Sequence, residues 1–516
     1  MASGKNTGWL TPVELTPPSL EDNTADVDRL LAALEARLGH GVDVPLELMR
    51  TIPAELREAA YRVRCVLARD RRRWQLTGIA GVAGGRRLIG AAVDLGTTQV
   101  VLRLIDLDTS VTLGEHAFEN PQARVGPDIL ARIHHADSAE GLGEQQALIA
   151  EGLNQALASA CKQQGIDTSS VALLAVAGNT TMGHLLLGLP PRWIVREPYI
   201  PAVNSPGLVS AAELGIRAAE GAAVFTFPNV GSYFGGDLIA GILSAGLDES
   251  EEPAVLVDVG TNAEVVLGNR DWLVGCAGAA GPALEAGAAE IGMLAGQGVI
   301  DKVWWETASG KLAYRTIGGG RPKGICGSGL IDLAAALFRS GMIDLRGRLV
   351  KSACKGRCRE VDGERELVLV PAQDSASGED LVIDERGLTS LKKAKAAMFA
   401  ILETLTASVG LKPEQVGTFS VGGSFGSVID PESAITIGML PDLPRDRFRV
   451  LGNSSLEGAT RLVQDAGLLE RIYAIRDRIT YMELNVNEQF MNRFSGAQFF
   501  PHTDPERFPS VKTQVV

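Results

Sequence analysis

Apolar residues first fall into a regular rhythm at Val27, Leu30, Leu31, Leu34 and Leu38. That three-and-four spacing predicts an amphipathic helix, with Thr24 or Asp26 as its cap and Gly39 as its stop. A Pro/Thr-rich arm, LTPVELTPPSLED, leads into it. From Leu88 the grammar changes. LIGAAVDLGTTQVVLRLID is an apolar run, a Gly/Thr turn and a second β-rich run, which together predict a hairpin. The same grammar returns in AVLVDVGTNAEVVLG: Asp94, Gly96 and Thr97 recur as Asp258, Gly260 and Thr261, and Val93 and Val101 as Val257 and Val265, all 164 positions on. That interval is the size of an α/β lobe and too long for a solenoid repeat. Two more glycine turns follow apolar runs, in LLAVAGNTTM (173–182) and TFSVGGSFG (418–426). The pattern predicts two related lobes whose matching turns are directed into the cleft between them.

Glycine-flanked helices are expected to start within 231–247 and 323–341, and a third near 391–409, with Met398, Ile401, Leu402, Leu405 and Val409 on one face. Residues 355–388 read as an exposed β-hairpin insertion, and the tail FSGAQFFPHTDPERFPSV as an extended arm. The expected division is 1–88, a small N-terminal α/β segment for partner or dimer contact; 89–250, lobe 1; 251–460, lobe 2; and 461–516, returning to lobe 1.

Composition narrows the class. There are 59 glycines in 516 residues, well above average usage, as expected where backbone must approach backbone or ligand closely. A net charge of −13 and only 5% aromatic residues argue against a nucleic-acid binder. No apolar run is long enough for a membrane helix, and the first thirty residues lack a signal-peptide core, so a cytoplasmic protein is expected. Six scattered cysteines do not suggest a disulfide framework. Arg69, Arg71, Arg72 and Arg73 form a basic cluster, read as a solvated face or a surface for an acidic partner.

In Asp94–Thr98 a strand ends in a carboxylate, Gly96 frees the turn, and Thr97 and Thr98 add hydroxyls and N–H groups. Successive N–H groups in a tight turn make an anion site. Asp94 reaches phosphate only through Mg²⁺, which takes one or two carboxylates, water and phosphate oxygens. Asp258, Gly260, Thr261 and Asn262 repeat the device. One such turn alone is an ordinary hairpin turn; two at lobe spacing, with VGGSFG, point to the β- and γ-phosphates of a nucleotide. Gly422, Gly423, Ser424 and Gly426 then offer bare backbone and a hydroxyl to the nucleoside, although Ser424 by itself reads equally as a helix cap. No GxxxxGK[ST] loop occurs.

These turns together resemble those of the actin, sugar-kinase and heat-shock-chaperone ATPases, which implies a two-lobed α/β fold of duplicated ribonuclease H-like lobes. GNTTM (178–182), YFGGD (233–237), AAGPALE (279–285), GICGSGL (324–330), VGGSFG (421–426) and ITYMELNVNEQFMNRF with FPHTD and FPSV are similar, more closely, to the ATP-dependent reductive activators of corrinoid proteins. The opening LTPPSLED and its helix resemble that family's middle domain. The resemblance implies an ATPase that drives a Co(II) corrinoid protein of a methyltransferase system to Co(I). It implies a homodimer, with Asp94 and Asp258 organising Mg²⁺ and the attacking water. The family's N-terminal [2Fe–2S] domain finds no counterpart, since no C-x₄-C-x₂-C spacing occurs; the expectation is a truncated chain, a cluster on a separate ferredoxin-like donor, or a lost redox role.

Competing readings are a nucleotide-controlled protein-binding module, a small-molecule kinase, and an activator of the acyl-CoA dehydratase type. The last resembles a family that shares a [4Fe–4S] cluster across its dimer, and Cys354 and Cys358 would be its ligands here; exposed or structural thiols are the plainer reading. Cys276 and Cys326 read as packing residues. His184 faces the cleft or is a core histidine, and the His134–His135 pair is poorly placed to share a metal. Asn179, Thr180 and Thr181 lie on a turn that points into the cleft or is purely structural. Lys392 and Lys395 approach the adenosine or are solvated, and Glu285 is a cleft carboxylate or a helix-end residue.

Overall fold

The structure, a computed structural model, describes residues 8–71, 73–83, 86–260, 263–278, 289–306, 308–423, 429–484 and 487–511. The chain divides into two compact units, Met1–Ser244 with Ser454–Arg478, and Ala245–Asn453 with Ile479–Val516.

The first unit opens with a four-stranded sheet in the order Leu10–Glu14, Arg62–Arg69, Trp74–Gly81, Val42–Asp43. In RVRCVLAR, Val63, Cys65 and Leu67 alternate into a core shared with Leu30, Leu34, Ile52 and Leu56 of helices Asp26–Leu38 and Leu46–Glu58. Gly39 stops the first helix at φ +73°, as expected. Neither Thr24 nor Asp26 caps it: Ala25 holds that place, while the Thr24 hydroxyl donates to Asp22 and Asp26 pairs with Arg57 at 2.5 Å. The basic cluster is a seam rather than a free surface. Arg71 bonds Asp477 at 2.6 Å and stacks on Tyr473 at 4.3 Å, Arg69 reaches Glu470 at 3.6 Å, and Arg73 reaches Asp43 at 3.6 Å. Arg72 lies outside the described residues.

The unit's main sheet runs Thr112–Glu119, Gln99–Asp106, Ile89–Leu95, Val171–Gly178, Ala223–Thr226, Leu208–Ser210. The first three strands are an antiparallel meander, and Val171–Gly178 joins parallel to Ile89–Leu95. Ile89, Ala91, Val93 and Leu95 pack with Ile149, Leu153 and Leu157 of helix Ala139–Gln163. On the alternate side, a Cβ at Gly90 would lie 2.3 Å from Val463 of helix Ser454–Gln464.

The second unit repeats this order: Leu273–Gly278, Ala263–Gly268, Ala254–Val259, Thr418–Gly422, Phe448–Gly452, with Ile479–Tyr481 added at the far edge. Again a meander is followed by a parallel strand. The duplication has one irregularity. Leu95 pairs with Val100 across the first turn, four residues intervening, whereas Val259 pairs with Ala263, three intervening. Val93 faces Leu102 and Val257 faces Val265, so the 164-residue offset becomes 163 beyond the turn, and Val101 and Val265 are not equivalent. Pairing period two leaves no other choice if both second strands keep apolar residues in the core.

The insertion expected at 355–388 is a three-stranded sheet, Cys358–Val361, Glu364–Val370 and Leu381–Asp384. Three expectations change. Only Ser454–Arg478 of the final stretch belongs with the first unit, while Ile479–Val516 belongs with the second. The tail starts with a helix, Glu488–Ala497, and becomes irregular only afterwards. The long helix spans Glu385–Ser408, starting earlier than the lysines suggested, so Lys395 lies beyond its opening turn and faces inward. Fully buried, its ammonium donates to the carbonyls of Phe499 and Pro501, the latter at 2.6 Å. Burial pushes this lysine well below its ordinary range, and the two carbonyls are what make the site tolerable for its protons. No helix among the described residues is long and apolar enough to cross a membrane.

His502 sits beside this clamp, and its Nδ1 accepts the Asp504 N–H at 3.0 Å, which requires a neutral acceptor nitrogen. Burial, with Arg507 and Lys395 adding to it, lowers its pKa from 6.5 to about 4. Between those values the unfolded chain binds the proton and the folded chain does not, so stability is full above about pH 6.5 and falls as pH drops toward 4. Amide exchange over 496–508 should therefore accelerate across that window, and His502→Gln should flatten the response.

Candidate functional site

In the first unit the strand Ile89–Leu95 delivers Asp94, half-buried, to its end. A Cβ at Gly96 would lie 2.3 Å from the Gln99 carbonyl, so the turn closes only on glycine. Asn120 splints it: its Nδ2 donates to Gly96 O at 2.8 Å, and its backbone N–H donates to Thr98 O at 2.8 Å. The pattern did not single out Asn120; the asparagine before Pro121 in ENP is the local sign of a turn.

The GNTTM turn meets this one. Leu95 pairs with Gly178, Asn179 Nδ2 donates to Thr97 Oγ1 at 3.1 Å, and Asn179 Oδ1 accepts from Met182 N at 3.0 Å, capping helix Thr180–Leu186. Asn179 thus fixes both the Thr97 hydroxyl and the helix start. Gly235 of YFGGD packs on Asn179, where a Cβ would come within 2.4 Å of its Cα. Thr97 is half-buried and Thr98 exposed. Thr180, Thr181 and His184 are buried. His184 Nδ1 lies 2.7 Å from Thr180 O, and burial holds its imidazole below the ordinary histidine value, which makes it a core histidine. His134 and His135 end helix Ile129–His135, with His135 on Glu144 at 2.8 Å.

Behind the turn Arg132 is wholly buried. Its Nε donates to Gly126 O at 2.9 Å and its Nη1 reaches Met182 Sδ at 3.4 Å, and burial pushes its pKa down to about 10.

In the second unit Asp258 pairs in register with Gly422. Gly423 follows at φ +87°, and a Cβ there would stand 2.5 Å from Asp258 Oδ1 and 2.5 Å from Val259 O. The bare backbone of the glycine turn is therefore what lets the Asp258 carboxylate lie alongside. The structure brings together Asp258, Gly422 and Gly423, with Gly260 at the strand's end. Thr261, Asn262, Ser424, Gly426 and the AAGPALE segment with Glu285 lie outside the described residues.

Both halves offer one carboxylate and closely packed glycine backbone, a donor set that suits Mg²⁺ held through water and phosphate oxygens. Among the described residues no three His, Cys, Asp or Glu side chains gather as a metal cluster. Cys354 and Cys358 are bonded to each other, which departs from their reading as cluster ligands and from that as exposed or structural thiols. Cys276 and Cys326 are buried free thiols, as packing residues should be. Lys392 donates to Arg346 O at 2.8 Å and Lys395 is spent on the tail, so neither is simply solvated.

Two sheets of one strand order, each led by an aspartate and a glycine turn, define an actin-like α/β fold. The comparisons agree. Residues 252–512 match the C-terminal domain of RACo, the ASKHA domain; 89–250 match the RACo middle region; and 7–86 match the RACo linker region. The N-terminal segment thus corresponds to the linker, and the middle region is the lobe after it. The chain is 31% identical over 418 residues to the corrinoid activation enzyme RamQ of Eubacterium limosum, covering 79% of this chain and 69% of that protein. It is 26% identical over 440 residues to a [Co(II) methylated amine-specific corrinoid protein] reductase of Methanosarcina barkeri, covering 78% and 76%. A solved reductive activator for corrinoid, iron-sulfur protein matches with a TM-score of 0.86 at 38% identity, covering 97% of this chain and 80% of that one. The chain belongs to the RACo family of corrinoid activators.

The Gly423 contact is directly testable. Gly423→Ala should lower the melting temperature more than Gly410→Ala, because Gly410, at φ +72°, has nothing within 4 Å of its Cβ position. The control carries only the left-handed backbone cost, about 1–2 kcal/mol; the Gly423 variant adds the collision with Asp258.

Proposed function

We propose that this chain is an ATP-driven activator that supports reduction of a Co(II) corrinoid protein to Co(I). What carries the reading is family membership along nearly the whole chain together with an aspartate and glycine turn in each unit. The reaction takes one electron per cobalt, delivered by a reduced iron–sulfur protein on a separate polypeptide, and couples it to ATP + H₂O → ADP + phosphate. Reaching so low a potential requires differential binding: ATP must stabilise one state of the activator–partner complex over another, and hydrolysis must reset it.

In this reading Asp94 and Asp258 organise Mg²⁺ and the attacking water. Gly96, Thr97 and Thr98 hold phosphate in one unit, and Gly260, Thr261 and Asn262 hold it in the other. Gly422, Gly423, Ser424 and Gly426 receive the nucleoside. Bound Mg²⁺ would neutralise phosphate charge as the bond to the γ-phosphate breaks. Asn120 and Asn179 keep the first turn in shape, so phosphate enters a preorganised site. The chain works as a cytoplasmic homodimer within a methyltransferase system.

ATP turnover, measured with a Co(II) corrinoid protein and a reduced ferredoxin, tests the reading. Turnover should rise when the corrinoid protein is present, and the Co(I) absorbance should grow only with ATP. Asp258→Asn should cut turnover at least a hundredfold, about 2.7 kcal/mol of barrier, with the melting temperature kept. Equal turnover in the variant would remove Asp258 from the site, and tight ATP binding without hydrolysis would favour a nucleotide-controlled binding module.

A further inference from the structure

A cavity of about 510 Å³ lies in the second unit, where loop 344–348, the first turns of helix Glu385–Ser408 and the end of helix Glu488–Ala497 meet. Arg346, Arg348 and Lys392 line it, with Thr389, Ser495 and Gln498 as neutral polar groups. Its one lining carboxylate, Glu385, accepts the Leu349 N–H at 3.1 Å.

The wall is built, not incidental. Asp344 Oδ1 accepts the N–H groups of Arg346 and Arg348 at 2.8 and 2.9 Å, fixing the loop that carries both guanidiniums. Gly347 has φ +78°, and a Cβ there would lie 2.7 Å from the Phe500 ring. Phe500 N–H donates to Leu345 O at 2.9 Å, and Lys395 clamps the carbonyls on either side of Phe500. The tail therefore holds the loop against the helix.

The charges are unspent. Arg339, Arg359, Arg386, Arg445 and Arg507 of this unit each pair with a carboxylate. Among the described residues Arg346 and Arg348 have none, in a chain of net charge −13. Burial, followed by the opposing pull of Asp344 and then the push of Arg348, leaves the Lys392 ammonium below its ordinary range. Paired guanidiniums suit phosphate, which they grip with two parallel hydrogen bonds. The volume suits a nucleotide-sized molecule.

We propose that this cavity binds a phosphate-bearing small molecule, its phosphate on Arg346, Arg348 and Lys392 and its hydroxyl-bearing part toward Thr389, Ser495 and Gln498. Two sources share that chemistry: a second nucleotide apart from the ATP of the proposed reaction, or another organic phosphate. Titration calorimetry of ADP, AMP and pyrophosphate into the full chain tests the site. At least one probe should bind saturably and weaken tenfold or more in Arg346→Gln/Arg348→Gln with its melting temperature kept. Weakening in the arginine variant but not in Asp258→Asn places the probe in this cavity, with ADP or AMP marking a nucleotide as occupant and pyrophosphate alone marking another phosphate; equal weakening in both variants assigns the probe to the ATP site and overturns the proposal. Unchanged affinity in the arginine variant, or no binding of any probe, overturns the site. Unchanged affinity in the arginine variant leaves the ATPase reading intact, and turnover of Asp258→Asn decides that reading by itself.

Discussion

A carboxylate can stand at the end of a buried strand only if the neighbouring strand yields it room, and here that room is the missing side chain of Gly423. Asp258 Oδ1 and the Val259 carbonyl occupy the space where a Cβ would stand. The first unit solves the same problem differently: Gly96 turns tightly on Gln99, Gly178 packs on Leu95, and Gly235 packs on the Asn179 Cα. In both units the strand order puts the aspartate next to a parallel strand that ends in glycine, Gly178 in the first and Gly422 in the second. The placement of acidic and bare backbone side by side is thus a property of the topology.

Much of this was legible along the chain because the hairpin grammar is local. An apolar run, Asp-x-Gly-Thr and a second β-rich run specify two strands and their turn, and the second copy reveals the duplication. The turn lengths were hidden. Both hairpins fit an offset of 164 in sequence, and only the pairing of Leu95 with Val100 against Val259 with Ala263 exposes the missing residue.

Contacts between distant segments were harder to see. Arg71 meets Asp477 across 406 positions, so a run of arginines that looks like a solvated face is a seam. Lys395 sits in a lysine-rich stretch that reads as polar, yet the helix begins earlier than those lysines and turns this one toward two tail carbonyls. Asn120 was passed over because one asparagine before a proline is common, and its worth comes from reaching Gly96 from 24 positions away. Local chemistry was readable; partners chosen by tertiary packing were not.

The return of Ser454–Arg478 to the first unit bears on how the protein is made. Helix Ser454–Gln464 covers the face of the sheet that includes Gly90, and helix Leu468–Arg478 receives the arginine seam. Domains commonly fold as units during synthesis, N-terminal first. Here strand Ile89–Leu95 leaves the ribosome without the helix that covers one side of its sheet, and must wait for almost the entire second unit to be translated. A nascent chain paused at residue 450 would therefore hold a bare apolar sheet, which makes this stage of biogenesis the one at which chaperone protection matters most.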